Sequence, residues 1–269
     1  MKKEELLHAV EFSLIGMYEQ FDGVMNVYKR EGVHVIQFPA VDFWEFNRAG
    51  MTRLHENNAE EGIKDVINYY NKMGSKSIAW ITGPLTTPPN FSEYLEKNNF
   101  EFEEAAWGMY LPVNAEFEVH ALKDVEIIEA TLEDMGREDV QKMIEQAYGM
   151  PEGSGKLMQQ FVELFEKISD IAIYIGYDGK KPIAFGNLVV IPGTKGAVLG
   201  GSATLPEYRK KGLYSNMVKI RKDKAKKFGV EYLIIQAKEA TSAPIAMKFG
   251  FEKICTLNFY LHKPISFPN

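Results

Sequence analysis

The stretch Ser202-Ala203-Thr204-Leu205-Pro206-Glu207-Tyr208-Arg209-Lys210-Lys211-Gly212-Leu213-Tyr214-Ser215 runs from an extended apolar segment, through a basic turn, into a helix. The first turn of a helix has backbone N–H groups without intrahelical partners and carries the positive end of the helix dipole. A pyrophosphate placed there accepts several hydrogen bonds at once. Arg209, Lys210 and Lys211 add positive charge at the same end, and Gly212 leaves the approach free of a side chain. The chain as a whole is acidic, with a formal net charge of −6 and a pI near 5.5, so an anion site has to be local. A surface of that sign repels polyanions, which weighs against nucleic acid as a partner.

Around this segment the periodicity reads as two α/β halves. At 269 residues, with 45% hydrophobic and 25% charged, the chain supports two modest cores. In the first half an amphipathic helix over Glu4–Tyr18 precedes a hairpin, Val24–Tyr28 and Val33–Phe38, split by Arg30-Glu31-Gly32. A helix over Glu60–Lys72, a strand over Ser77–Thr82, a helix over Phe91–Lys97 and a strand over Phe100–Val113 follow. Residues 116–124 show little periodicity and mark the boundary between domains at 1–118 and 125–269. The second half predicts a strand at Val125–Glu129 and helices at Arg137–Tyr148 and Lys156–Ile168. An antiparallel meander over Ile171–Tyr177, Pro182–Ile191 and Ala197–Thr204 comes next. The order then runs helix Lys211–Phe228, strand Tyr232–Ile235, short helix Pro244–Phe249 and strand Glu252–His262. On the long helix, Leu213, Met217, Ile220, Ala225 and Phe228 form the buried face, while Lys219, Arg221, Lys222, Lys224, Lys226 and Lys227 read as a solvated one.

Arg209-Lys210-Lys211-Gly212-Leu213-Tyr214 after a strand, with Ala203-Thr204-Leu205-Pro206-Glu207-Tyr208-Arg209 upstream and Lys248-Phe249-Gly250-Phe251-Glu252 downstream, resembles the GNAT superfamily of N-acetyltransferases. The resemblance spans most of the second half. It implies an α/β (α+β) fold of two GNAT-like domains, each a mixed, mainly antiparallel sheet flanked by helices. The first half, with Ile78-Ala79-Trp80, Gly83-Pro84, Pro88-Pro89 and Phe100 through Met109, looks like a copy without a basic glycine turn after a strand. The resemblance further implies acetyl-CoA as co-substrate. Backbone groups of Ala203, Thr204 and Leu205 would pair with its pantetheine arm, and Arg209, Lys210, Lys211, Gly212, Leu213, Tyr214 and Ser215 would hold its pyrophosphate. Tyr214 stands where the family usually has a small residue.

Acyl transfer from a thioester requires a neutral amine, a donor for the developing oxyanion and an exit for the thiolate. The family often supplies an acid as tyrosine, and Ala246 occupies that position here. Tyr214, Ser242, Cys255 and Tyr260 could each approach the thiolate, but none stands at the matching position, so no catalytic residue is assigned. Glu239 and Asn187, candidate bases near the expected cleft, read as surface or structural polar groups, as does Glu152. Phe43, Trp44, Phe46, Trp80 and Trp107 read mainly as core, with Phe43-Trp44-Glu45-Phe46 also a candidate lining for a cleft between the halves. The five histidines are scattered without ligand spacing, so no metal is expected. Neither a Gly-x-Ser-x-Gly elbow nor a phosphate-binding Gly-x-x-x-x-Gly-Lys motif is present. A lone cysteine fits a reducing, cytoplasmic setting, and the charged opening helix fits neither a leader nor a membrane span. Two readings stay open: an N-acetyltransferase acting on a primary amine of a small molecule or peptide, and a catalytically silent acyl-CoA sensor or scaffold. The sequence does not fix the oligomeric state.

Overall fold

The computed structural model describes residues 2–21, 23–39 and 42–262. Two compact units divide the chain, one built on residues up to Met109 with 236–246 and the segment from Lys253, the other on Tyr110–Ile235 and Met247–Glu252.

The first unit begins with α1 (Lys3–Leu14) and a 3-10 turn at Gly16–Gln20, so the opening helix is shorter than its apolar pattern implies. Strands β1 (Asn26–Arg30), β2 (Val33–Gln37) and β3 (Arg48–Gly50), helix α2 (Ala59–Lys72), β4 (Ala79–Thr82), α3 (Phe91–Lys97) and β5 (Phe100–Pro112) follow. The chain's last described strand, β12 (Glu252–His262), lies between β4 and β5 in this unit's sheet, giving the order β1-β2-β3-β4-β12-β5. Pairing is antiparallel for β1/β2, β2/β3 and β4/β12 and parallel for β3/β4. A division at 118–125 assigns β12 to the second half. Strand periodicity reports which face is buried and carries no information on which sheet the strand joins.

The core of this unit forms where α2 and α3 lay apolar faces on the sheet, with Val33, Val35, Ile63, Val66, Tyr70, Trp80, Phe91 and Phe100 all buried. Two of its polar-tipped rings are tied to neighbours: Trp80 Nε1 donates to Thr52 Oγ1 at 2.9 Å, and the Tyr70 hydroxyl donates to the Ile36 carbonyl at 2.8 Å.

The second unit contains β6 (Val125–Ala130), α4 (Leu132–Gly136), α5 (Glu138–Tyr148), α6 (Ser154–Ile168), β7 (Ile171–Asp178) and β8 (Lys181–Val190). Then come β9 (Gly196–Val198), β10 (Ser202–Thr204), α7 (Leu213–Lys227) and the start of β11 (Tyr232–Lys238), whose residues from Gln236 on belong to the first unit, as does α8 (Ala243–Met247) up to Ala246. Its strand order is β11-β9-β8-β7-β6, with β10 paired to β8. The expected meander is present as antiparallel β7/β8, β8/β9 and β8/β10 ladders. α4 escaped the sequence pattern because it is one short turn. It is held by a capping box in which Thr131 and Asp134 satisfy each other's backbone N–H groups.

Neighbouring positions on β8 place α7 and α5 on opposite faces. A Cβ added at Gly186 would meet Arg221 of α7, whereas the Asn187 side chain lies by Gly201, beside Tyr148 of α5. Among the described residues no helix is long and apolar enough to cross a membrane.

Candidate cofactor site at a broken strand

The segment expected as one strand over 197–204 is two. β9 pairs with β8 through Val198↔Val189 and runs parallel to β11 through Val198↔Ile234, and the Leu199 N–H still reaches the Ile234 carbonyl at 3.0 Å. The β8 ladder resumes at Ser202↔Gly186, so residues 199–201 face only 187–188 across it. One extra residue makes a β-bulge. Asn187 N–H divides itself between the carbonyls of Gly200 and Gly201, each at 3.3 Å. Glycine suits both: a Cβ at Gly200 would sit 2.5 Å from Asn187 Oδ1 and displace that side chain, and Gly201 has φ +38° with the Tyr148 hydroxyl 2.9 Å from its would-be Cβ.

Beyond the bulge β10 has β8 as its only strand partner among the described residues. The Leu205 N–H bonds the Ile183 carbonyl at 2.9 Å, which sets the parity of the ladder. Antiparallel strands alternate bonded and non-bonded pairs, so Ala203 and Leu205 spend their backbone groups on β8, while those of Ser202 and Thr204 face away. Of the three residues the sequence marks for cofactor pairing, only Thr204 presents its backbone to the open edge, and Ser202 joins it. The parity of a strand next to a bulge is invisible in sequence. The Thr204 carbonyl is already occupied by Arg209 Nε at 3.0 Å.

The open edge leads to the N-terminus of α7. The helix begins at Leu213, two residues later than its pattern suggests, so Lys211 lies in the turn and Gly212 is the cap, with φ +83°. Lys210 is also left-handed, at φ +64°. No side chain caps the helix, and the Asn216 N–H is bonded to the Gly212 carbonyl at 3.2 Å. The N–H groups of Leu213, Tyr214 and Ser215 precede that first intrahelical bond and are the orphan donors of the turn. The Ser215 hydroxyl and the Asn216 amide both donate to the Gly212 carbonyl, at 2.7 and 3.0 Å, which holds the turn's shape.

The three cations differ in task. Arg209 braces the turn, donating to the carbonyls of Thr204 and, at 3.2 Å, Ala147 at the end of α5. Lys210 and Lys211 are exposed, with the Lys211 ammonium 4.8 Å over the Tyr208 ring. The Tyr214 ring packs 6.0 Å from Phe249. Burial pushes its hydroxyl pKa up, and nearby Arg221 pulls the other way.

The solvated face assigned to α7 needs correction at two positions. Arg221 has no exposed surface and Lys222 almost none. The Lys222 ammonium donates to the Ala115 carbonyl and lies 5.1 Å over the Phe117 ring, and burial lowers its pKa. Asn187, considered as a base, is buried at the bulge. Cys255 and Tyr260 belong to the first unit's interior. A Cβ on Gly108 would lie 2.6 Å from the Cys255 sulfur, and burial raises that thiol's pKa, so its thiolate fraction is small. Ala246 is buried on α8, Ser242 is half-buried, and Glu239 and Glu152 are exposed. Among the described residues no three His, Cys, Asp or Glu side chains are grouped to hold a metal.

The first unit repeats the order strand, turn, helix, parallel strand as β3, α2, β4, but its edge is filled. The Thr87 N–H bonds the Thr52 carbonyl at 3.1 Å, the Leu54 N–H bonds the Thr87 carbonyl at 3.2 Å, and the Thr87 hydroxyl bonds the Leu54 carbonyl at 2.9 Å. Glu60 and Glu61 occupy the first turn of α2, where they repel an anion.

Residues 138–251 match the Acetyltransferase (GNAT) family. No curated protein sequence matches the chain. Among solved structures the fold is similar to a GCN5-related N-acetyltransferase from Kribbella flavida, at 13% identity, covering 95% of this chain and 96% of that one, with a TM-score of 0.68. A GCN5-related N-acetyltransferase from Sphaerobacter thermophilus is similar at 9% identity, 93% and 85% coverage and a TM-score of 0.64. A tandem GNAT protein from the clavulanic acid biosynthesis pathway is similar at 11% identity, 87% and 79% coverage and a TM-score of 0.56. At these identities the likeness is one of fold.

Proposed function

We propose that this chain, whose residues 138–251 form a GNAT-type acetyltransferase domain, moves an acetyl group from acetyl-CoA to a primary amine of a small molecule or peptide. The observation that carries the reading is the open edge of β10 running into an uncapped, basic helix N-terminus. Ser202 offers an N–H and a carbonyl and Thr204 an N–H, the groups an extended amide-bearing arm needs to add itself as a strand. The orphan N–H groups of Leu213, Tyr214 and Ser215 suit a pyrophosphate, with Lys210 and Lys211 supplying charge from the rim. Acetyl-CoA brings the activated thioester. The protein's part is to fix that arm, to aim backbone N–H groups at the carbonyl oxygen as it gains charge, and to keep the amine in line with the carbonyl carbon.

The filled edge and acidic helix start of the first unit fit a copy that carries no cofactor. A cytoplasmic setting suits the single buried cysteine. One observation favours a second reading, a silent acyl-CoA sensor: α8 presents the buried methyl of Ala246 where the family resemblance calls for a tyrosine acid. Thiol release from acetyl-CoA, followed across a panel of polyamines, aminoglycosides, amino acids and short peptides, separates the two. Turnover with any amine supports the transferase. Tight binding with no thiol release above the uncatalysed rate supports the sensor.

A further inference from the structure

Arg221 is a fully buried cation in the second unit, outside the groups assigned to the acetyl-CoA arm and its phosphates. Its side chain has no exposed surface. Nε donates to the Met217 carbonyl at 3.1 Å, and Nη1 donates to the Asn187 carbonyl at 2.9 Å and the Gly200 carbonyl at 3.4 Å. Nη2 is buried with no hydrogen-bond partner. The titratable groups that act on the guanidinium are the phenols of Tyr214, Tyr148 and Tyr174, with no carboxylate among them. A buried cation without a counter-charge destabilises a fold unless something returns the energy. The fold nevertheless makes room for it: a Cβ at Gly186 would lie 3.2 Å from its Cζ, so the strand beneath is glycine where the guanidinium passes.

What the guanidinium touches is the bulge. Asn187 and Gly200 supply the two carbonyls at the closed end of the open edge, just where the Leu199 N–H makes the last bond to β11. From Thr204 to Ser202 the strand covers about 7 Å, at about 3.3 Å per residue, and ends at the bulge. A molecule anchored by phosphate at Gly212 and extended along β10 points its far end towards the bulge, and in an acetyl thioester that far end is the reacting carbonyl. We propose that Arg221 is a positioning residue for acetyl transfer: it holds the bulge carbonyls back, and its unpaired charge stabilises the negative charge that builds on the thioester oxygen and the departing sulfur.

The step balances without an acid on the protein. The amine lone pair forms the C–N bond, the C–S bond breaks with its electron pair leaving on sulfur as thiolate, and the ammonium proton passes to solvent water. With a thiol pKa of about 8.5 for a cysteine-like group, a nearby fixed cation is enough to let the thiolate depart. This accounts for alanine at position 246.

The inference rests on acetyl-CoA binding as proposed above, and its test keeps the two apart. Isotope-edited infrared spectra of [1-13C]acetyl-CoA are recorded free, bound to the wild type, and bound to Arg221→Met and Arg221→Gln, with circular dichroism confirming the fold and calorimetry giving Kd. The wild type is expected to lower the carbonyl stretch. Whichever neutral variant folds is expected to lose most of that shift at little-changed Kd, with kcat for an accepted amine down about a hundredfold, the loss typical of a removed oxyanion donor. A wild-type band equal to that of free acetyl-CoA, or a variant band equal to the wild type's, overturns the role of Arg221 while leaving cofactor binding intact. Absence of acetyl-CoA binding to the wild type overturns the cofactor reading first.

Discussion

Two substitutions at Gly212 separate backbone strain from charge at the phosphate seat. The residue sits at φ +83°, and a Cβ built on it meets nothing closer than Leu122 Cδ2 and Ser215 Oγ, each at 3.9 Å. Gly212→Ala therefore adds left-handed strain without a clash, about 1–2 kcal/mol, visible as a Tm lower by a few degrees. Gly212→Glu carries the same strain and sets a carboxylate beside the orphan N–H groups of Leu213, Tyr214 and Ser215. Against one phosphate charge at about 4–5 Å, with an effective dielectric of about 20, the repulsion is about 3–4 kcal/mol. That is two to three decades in Kd, reduced by salt because the rim is exposed. Calorimetric titration with CoA at low ionic strength should find Gly212→Glu weaker than Gly212→Ala by about a hundredfold, with the two melting alike. Equal affinity in two equally folded variants would refute the placement of the anion.

In the first unit, Trp80→Ala removes a ring with no exposed surface and the donor to Thr52, and denaturant unfolding should show a loss of about 3–5 kcal/mol. At Glu19, burial pushes the carboxyl up, but hydrogen bonds and charge from His34 and Lys29 outweigh it and hold the pKa below its ordinary 4.5. A carboxyl with a depressed folded pKa stabilises above its unfolded value and loses that contribution as pH falls through the folded one. Thermal melts of Glu19→Gln should accordingly show a smaller stability difference between about pH 6 and about pH 3 than the wild type does.

Much of this was legible in sequence because it is local. The basic turn, the glycine cap and the amphipathic helix behind them depend on residues within a few positions of each other, and the meander of β7, β8 and the broken strand depends on alternation. Three features were not legible, for physical reasons. β12 joins the first unit's sheet, and strand periodicity names a buried face without naming a partner strand. The bulge at 199–201 shifts the ladder by one residue, so the groups left for a ligand belong to Ser202 and Thr204 instead of to a run of three neighbours. Arg221 looks like one more charge on a lysine-rich helix. Only Gly186, on the strand beneath it, hints at its burial, and that contact exists only in the folded chain. The Gly200-Gly201 pair inside an apolar strand was the one available signal for the bulge.

The most direct test of the account is amide hydrogen exchange at the open edge of β10, measured by NMR with and without acetyl-CoA. The N–H groups of Ser202 and Thr204 should exchange readily in the free protein and become protected with the cofactor bound, while those of Ala203 and Leu205, already paired with β8, stay slow in both. Saturable acetyl-CoA binding that leaves Ser202 and Thr204 exchanging at their free rates would contradict it.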